Sequence, residues 1–477
     1  MSIFGNIGAL RRRLSEPVSG ESLAVIRILF GAILLWDYFR YISGTRILRY
    51  YVLAPVKFPY FDFIQPLPEP WIHIAWGAVG VSAALVMLGL LFRVAIIVFI
   101  ISFGYFFLLD RVQYLNHNYM ALLYAALLAV SPANKVWSLD AVLGWTGRAN
   151  WIPRWPVAAI RLQTEIILIF AGIVKITDDW LRGQPLLMWL PANKDAVFYG
   201  GLFEHDLLIV AASWAVVALH IIGAPLLLYR RTRMLMFLIY VFFHVSNAVL
   251  FNIGIFPWLT IAITLIFFDP DWPTQLWQWL RAKVGRGASP SMDPDGAGLA
   301  ARSARPLGMG LMILLVGWFA VQLALPVRQA LFPNLVGWTG DGHKFSWRMR
   351  VYSKSAEGGF LAVHPTTGEN FYIDPAEVLG KRSARYVMTR ADTAREFALW
   401  MEKRLAICCN WPSAAVYARY TVTFNGRPAQ AFIDPDVDLT RVERNPWGPD
   451  PWIVPLQTRA ATDLLPDWFP PLPLQKP

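Results

Sequence analysis

Over the first two thirds of the chain, apolar residues run in blocks close to the length a helix needs to cross a bilayer, separated by short polar and basic connectors. A spanning helix takes about 20 residues. On that measure the pattern predicts nine spans: Glu21–Ile42, Trp71–Phe92, Val94–Asp110, His117–Val130, Pro156–Trp180, Leu207–Tyr229, Met234–Phe251, Ile253–Phe268 and Gly308–Val327. The shorter ones read as tilted or paired in tight hairpins. Trp272–Val284 carries Trp272, Leu276, Trp279 and Leu280 at helical spacing, as an interfacial helix does. Gly285–Arg305 is rich in Gly, Ala, Ser and Pro and reads as a flexible linker. Beyond Pro333 the blocks give way to alternation. Phe345, Trp347, Met349 and Val351 share one face of a predicted half-buried strand that ends at Tyr352. Tyr417–Phe424 and Pro428–Ile433 flank Asn425-Gly426, a dipeptide that tolerates positive φ at both positions and so favours a hairpin. Ala391–Ile407 reads as a helix. The expected fold is an α-helical multi-pass membrane protein of about nine spanning helices with a C-terminal, mainly-β extramembrane domain. The division falls between residues 1–330 and 331–477, and a Trp- and Pro-rich tail runs over Asn445–Pro477.

Composition agrees. The chain is 56% hydrophobic and 16% charged, against about 25% charged in average soluble proteins. The net charge of +11 would suit nucleic acid, but the basic residues lie in connectors and no aromatic-basic recognition motif accompanies them. With the N-terminus inside, the inner connectors hold fifteen Lys and Arg, Arg11–Arg13 and Arg230, Arg231 and Arg233 among them, against six outside. That bias puts the N-terminus in the cytoplasm and the C-terminal domain on the outer side. The Arg- and Ala-rich composition points to a bacterial inner membrane and a periplasmic domain, or a lumenal one in a eukaryote. The run from Leu23 to Tyr41 contains Arg27 and Asp37 and lacks a small-residue cleavage site, so it reads as a retained span. Cys408 and Cys409 are neighbours that neither staple distant segments nor offer metal spacing, and they read as free thiols.

The chemistry is carried by the polar residues within apolar runs. Lys175 follows Phe170-Ala-Gly-Ile-Val. A lysine at the centre of a spanning helix costs about 2.5–3.5 kcal/mol. Desolvation disfavours its ammonium form and leaves a free amine able to act as a base. The plainer reading is an ammonium that snorkels toward Asp178 and Asp179. Asn116 and His117 open the fourth predicted span, His220 lies within the sixth, and His244 and Asn247 share a face of the seventh. Arg161 shares a helix face with Lys175, about 20 Å away along the axis, with Gln163 and Glu165 between them. For each of these, hydrogen bonding between helices or a structural ion pair is the competing explanation. The histidines lack the spacing and carboxylates of a zinc or di-iron site, and no P-loop, dinucleotide fingerprint or nucleophile elbow appears. A lysine base, two histidines and several amides in a lipid-accessible cavity suit an apolar substrate with an acidic hydroxyl, such as a quinol. They also suit a proton-coupled transporter.

Five segments carry a family resemblance. Phe170-Ala-Gly-Ile-Val-Lys175-Ile-Thr-Asp-Asp-Trp180-Leu-Arg-Gly183 resembles the segment of vitamin K-dependent γ-glutamyl carboxylase that holds its catalytic lysine. Leu109-Asp110-x4-Asn116-His117-x-Tyr119 resembles the segment with its Asn-His pair. Phe243-His244-x2-Asn247-x2-Leu250-Phe251-x-Ile253-Gly254-x-Phe256, Phe345-Ser-Trp347-x-Met349-x-Val351-x-Ser353 and Phe432-Ile-Asp434-Pro435-x-Val437-Asp438 are similar to three more, in the same order. Bacterial membrane homologues with the so-called horizontally transferred transmembrane domain fall in the same group. The resemblance implies that Lys175 deprotonates a reduced naphthoquinone (phylloquinol or menaquinol), that O2 converts it to the epoxide, and that CO2 carboxylates a glutamyl residue. His117 would act on the oxygen species. Asn116, His244 and Asn247 would hold the quinone, and Arg161 is grouped with them. Trp347 and Tyr352 would meet a glutamate-containing peptide or protein, with Tyr352 standing where the animal enzymes have a histidine. Membrane lipid and quinone are the other expected partners; no metal and no nucleic acid are expected. Two further readings stay open: a quinol epoxidase or oxygenase without a peptide partner, and a transporter or lipid-binding scaffold.

Overall fold

The computed structural model describes residues 3–43, 45–284, 305–332, 335–445 and 450–457. All but the last residue of the linker expected over 285–305, and most of the tail expected over 445–477, lie outside them. Among the described residues seven helices are long and apolar enough to cross a membrane. In the membrane part the helices are α1 (Ile3–Ser15), α2 (Glu21–Ser43), α3 (Trp71–Leu88), α4 (Phe92–Leu109), α5 (Asn116–Val130), α6 (Trp155–Ile173), α7 (Asp206–Ala218), α8 (Arg233–Leu250), α9 (Phe256–Thr264), α10 (Trp272–Lys283) and α11 (Met309–Val327). The shorter α5 and α9 supply the two remaining predicted blocks, so every one of the nine is helical. α10 keeps Leu276, Trp277, Trp279 and Leu280 exposed, as an interfacial helix requires.

Two buried charges hold the α3–α4 turn. Arg27 donates to the Val86 and Met87 carbonyls at 2.9 and 2.8 Å and to the Trp137 carbonyl at 2.5 Å. Asp140 accepts from the backbone nitrogens of Leu91 and Phe92 at 2.7 and 3.1 Å. A cation thus meets the carbonyl end of α3 and an anion the amide end of α4, where each is favoured by the groups a helix terminus leaves unbonded. Two short strands, β1 (Pro17–Ser19) and β2 (Trp151–Pro153), pair antiparallel.

The C-terminal region is a four-stranded antiparallel sheet in the order β4 (Asn370–Ile373), β3 (Lys354–Val363), β5 (Ala415–Phe424), β6 (Gln430–Ala431). Two helices, α12 (Pro375–Met388) and α13 (Ala391–Cys409), pack on it. Its apolar core, with Phe360, Phe397, Val422 and Phe424, takes in Val56, Phe58 and Val112 from the membrane part's connectors. Asn425 and Gly426 turn the chain at φ 49° and 78°. Val422 faces Gln430 and Thr421 faces Ala431, one residue beyond the register a two-residue turn sets. Cys408 and Cys409 are bonded to each other rather than standing as free thiols.

The strand expected from Phe345 to Tyr352 does not form. Phe345, Trp347 and Arg350 take φ of 64°, 57° and 50°, so the segment is an irregular loop. The alternation has another cause. Trp347 is fully buried within the membrane part's core, its ring stacked on Tyr119 at 5.1 Å, while the residues between stay polar.

Candidate active site

The break after α6 decides where Lys175 stands. The expected span to Trp180 ends at Ile173, and the Lys175 nitrogen bonds back to the Gly172 carbonyl at 2.9 Å. A new helical turn, Asp178–Leu181, starts with the Thr177 side chain accepting from the Trp180 nitrogen at 3.3 Å. Irregular backbone at membrane depth is tolerated where it lines a cavity, and this turn does. The Lys175 side chain is 5% exposed. Its Nζ donates to the Ala171 carbonyl at 2.7 Å and sits 5.3 Å from the Trp180 ring centroid.

Neither neighbouring aspartate pairs with it. Asp178 accepts from Arg182 Nε at 2.9 Å. Asp179 accepts from both terminal nitrogens of Arg427 at 2.7 Å and from Asn425 Nδ2 at 2.7 Å. The C-terminal hairpin therefore occupies the carboxylate that a snorkelling lysine would use.

Around the amine lies a cavity of about 630 Å³. Lys175, His117, Asn116, His220, His244 and Asn247 all line it. His117 has no protein hydrogen-bond partner among the described residues, and Gly254 (φ 63°) lies against its ring, with an added Cβ 3.0 Å from Cε1. His244 is 1% exposed, and both its ring nitrogens are buried without a partner among the described residues. Buried imidazole nitrogens are ordinarily hydrogen-bonded, and the described residues supply this ring with no partner. Asn247 spends Nδ2 on the Phe243 carbonyl at 2.9 Å, leaving Oδ1. His220 sits in a π turn, Leu219–Gly223, and its Nδ1 donates to the Val216 carbonyl at 2.7 Å. Gly172 admits it: a Cβ there would lie 2.8 Å from the His220 Cβ. Trp180, Trp189, Phe243, Phe251 and Phe256 supply apolar wall.

Asn116 braces the loop over the cavity. The Phe345 nitrogen donates to Tyr114 Oη at 2.9 Å, Tyr114 donates to Asn116 Oδ1 at 3.0 Å, and Asn116 Nδ2 donates to the Arg348 carbonyl at 3.3 Å.

Three predicted site residues lie elsewhere. Arg161 donates to the carbonyls of Ile266, Phe267 and Phe268 at 2.8, 3.3 and 2.8 Å, closing the end of the helical segment after α9. The long guanidinium reaches a neighbouring helix end instead of a channel. Glu165, for which a structural ion pair with a partner elsewhere is the competing explanation, has both oxygens buried with no partner among the described residues. Trp347 is core. The Tyr352 hydroxyl accepts from Arg390 Nη2 at 2.6 Å and shares a hydrogen bond with His343 Nδ1 at 3.3 Å. Neither Trp347 nor Tyr352 borders the cavity; Arg348, Met349 and Arg350 do. Those arginines, with Arg46 and Arg382, escape sequence reasoning, because the loop reads as a strand and the other two, one before the second span and one on α12, lie far apart in the chain.

Two family models match the chain: the HTTM domain over residues 15–272, and the vitamin K-dependent gamma-carboxylase, lumenal domain over residues 308–459. The chain belongs to the vitamin K-dependent gamma-carboxylase family. No solved structure matches it. This gamma-carboxylase-like membrane protein thus joins the two matched regions around one cavity, with Lys175 from the first and Met349 from the second on its wall.

Proposed function

We propose that this protein is a carboxylase-like enzyme in which Lys175 takes a proton from the hydroxyl of a reduced naphthoquinone held in the cavity. The observation that supports this best is a buried amine with no carboxylate partner, facing the same space as His117. The cavity fits such a ligand. Aromatic walls suit a bicyclic ring, and the two orphaned nitrogens of His244 suit its oxygen. When bound, the quinol supplies, with O2, the base for carboxylation of a glutamyl residue by CO2 and leaves as the epoxide.

Desolvation and the loss of Asp179 to Arg427 both favour the neutral form of Lys175. After accepting the proton, Nζ keeps its bond to the Ala171 carbonyl, which stabilises the ammonium. His117 lies across the cavity as a donor to oxygen at the reacting face, and Asn247 Oδ1 and His244 orient the ring. The enclosing helices exclude bulk water, which both the neutral amine and a strong base require.

A second reading, quinol oxygenation without a peptide, is favoured by one observation: Trp347 and Tyr352 do not border the cavity. Purified protein supplied with reduced vitamin K, O2, labelled bicarbonate and a glutamate-containing peptide separates the two. Epoxide with labelled peptide supports carboxylation, and epoxide alone supports the second reading. Neither product from folded protein removes both. Lys175→Met is expected to lower epoxide formation about 10²–10⁴-fold, the range of a lost general base, with the thermal midpoint unchanged.

A further inference from the structure

We propose that the end of the cavity facing the C-terminal region binds an oxyanion, a carboxylate or phosphate group, as a ligand separate from the quinone. The lining includes five arginines (Arg40, Arg46, Arg348, Arg350 and Arg382) besides Lys175, and one acid, Asp37. Asp37 is engaged by Arg40 at 3.2 Å. The other four arginines have no ion pair among the described residues. A neutral aromatic ligand leaves their charge uncompensated.

Arg348 is the best defined. It is 9% exposed, and its Nε donates to Gln329 Oε1 at 2.7 Å. Its two terminal nitrogens have no protein acceptor among the described residues, and its side chain lines the cavity. Arg350 lies over Phe251 and Trp189 at 5.0 and 5.4 Å. Aromatic faces hold the guanidinium plane and leave its edge free, the geometry of a fork for an oxyanion. Arg382 and Arg46 are held the same way over Tyr50 and Tyr41, both at 5.2 Å.

The charges converge on one space. Those of Arg40, Arg46 and Arg382 all act on the His117 ring, and that of Arg348 acts on Lys175. Positive φ at Trp347 and Arg350 and the Asn116 bond to the Arg348 carbonyl fix the loop that presents two of them. The motif shared with the carboxylases leaves positions 348 and 350 open, so the site belongs to this chain rather than to the pattern.

The test needs no turnover, and its failure is therefore distinct from failure of the quinol reading. Calorimetric titration of the full chain in neutral detergent would use inorganic phosphate, glutarate and short-chain phosphatidic acid, with chloride at matched ionic strength as control. At least one oxyanion is expected to bind saturably, and chloride not. Affinity should fall at least tenfold in Arg348→Met and further in Arg348→Met/Arg350→Met, less in Arg348→Lys, and not in Arg93→Met, whose side chain bonds the Ala129 carbonyl elsewhere. Binding of phosphate or glutarate assigns the site to a free anion, and binding of phosphatidic acid alone assigns it to a lipid headgroup; both support it. No saturable binding by any probe overturns the proposal. So does binding undiminished in arginine variants whose circular dichroism matches the parent.

Discussion

The imidazoles of this chain do two kinds of work, and their hydrogen bonds tell them apart. His244 has none among the described residues and faces the cavity. His343, in the C-terminal region, is hydrogen-bonded to Tyr352, which accepts from Arg390. Desolvation, joined by the charges of Arg390 and Arg348, holds the His343 pKa well below its ordinary 6.5. The folded state then refuses a proton that the unfolded chain takes up below pH 6.5, so stability is lost as the pH falls under that value. Asp392 adds nothing in the same window. Burial opposes its charge, but Lys344 and Arg111 override burial and hold the carboxyl below the usual range. Urea midpoints followed from pH 7 to pH 5 should therefore drop in the parent and drop less steeply in His343→Gln; a parallel drop in both would refute this account. Residues of the cavity were legible in the sequence wherever one polar group interrupts an apolar run, as at Lys175, His117 and His244. Arg161 interrupts one too, yet it serves a helix end, because periodicity reports a face and not what a long side chain reaches.

At the scale of elements, the hairpin after β5 and the turn before Trp180 form one unit. Asn425 closes its own loop on Ser353, with bonds of 2.8 and 3.0 Å, and also reaches Asp179 beside Arg427. Side chains in this pair are 8% and 11% exposed. Removing one partner of a buried pair leaves a bare charge and costs about 3–5 kcal/mol. Arg427→Met should lower the thermal midpoint and raise amide exchange in residues 174–182, while Asp179→Asn combined with it should cost less than the two singles summed. Strict additivity would argue against the pairing. The Asn425-Gly426 turn could be read directly from its chemistry. So, in principle, could the end of α6, since Thr177 followed by two aspartates is a helix-start signal; an unbroken hydropathy run hid it. The loop over the cavity could not be, because its alternation comes from burying Trp347 in the membrane core rather than from a sheet.

For the whole molecule, the apolar blocks translate directly into helices, since spanning length and periodicity are local properties. What joins the halves is not local. Val56, Phe58 and Val112 enter the C-terminal core from connectors distant in sequence. An odd number of crossings, as the basic connectors predict, would set Arg12 and Thr367 on opposite sides. In sealed vesicles of the Cys408→Ser/Cys409→Ser background, an impermeant maleimide should reach Thr367→Cys from one side and Arg12→Cys only from the other; labelling of both from one side would require an even count. The bond from residue 427 to residue 179 also bears on the order of synthesis. Until the ribosome has delivered the last strands, the nascent membrane half carries a bare aspartate four positions from its amine. Not yet claimed by Arg427, that carboxylate would be available to the amine as an internal salt until the chain is nearly finished.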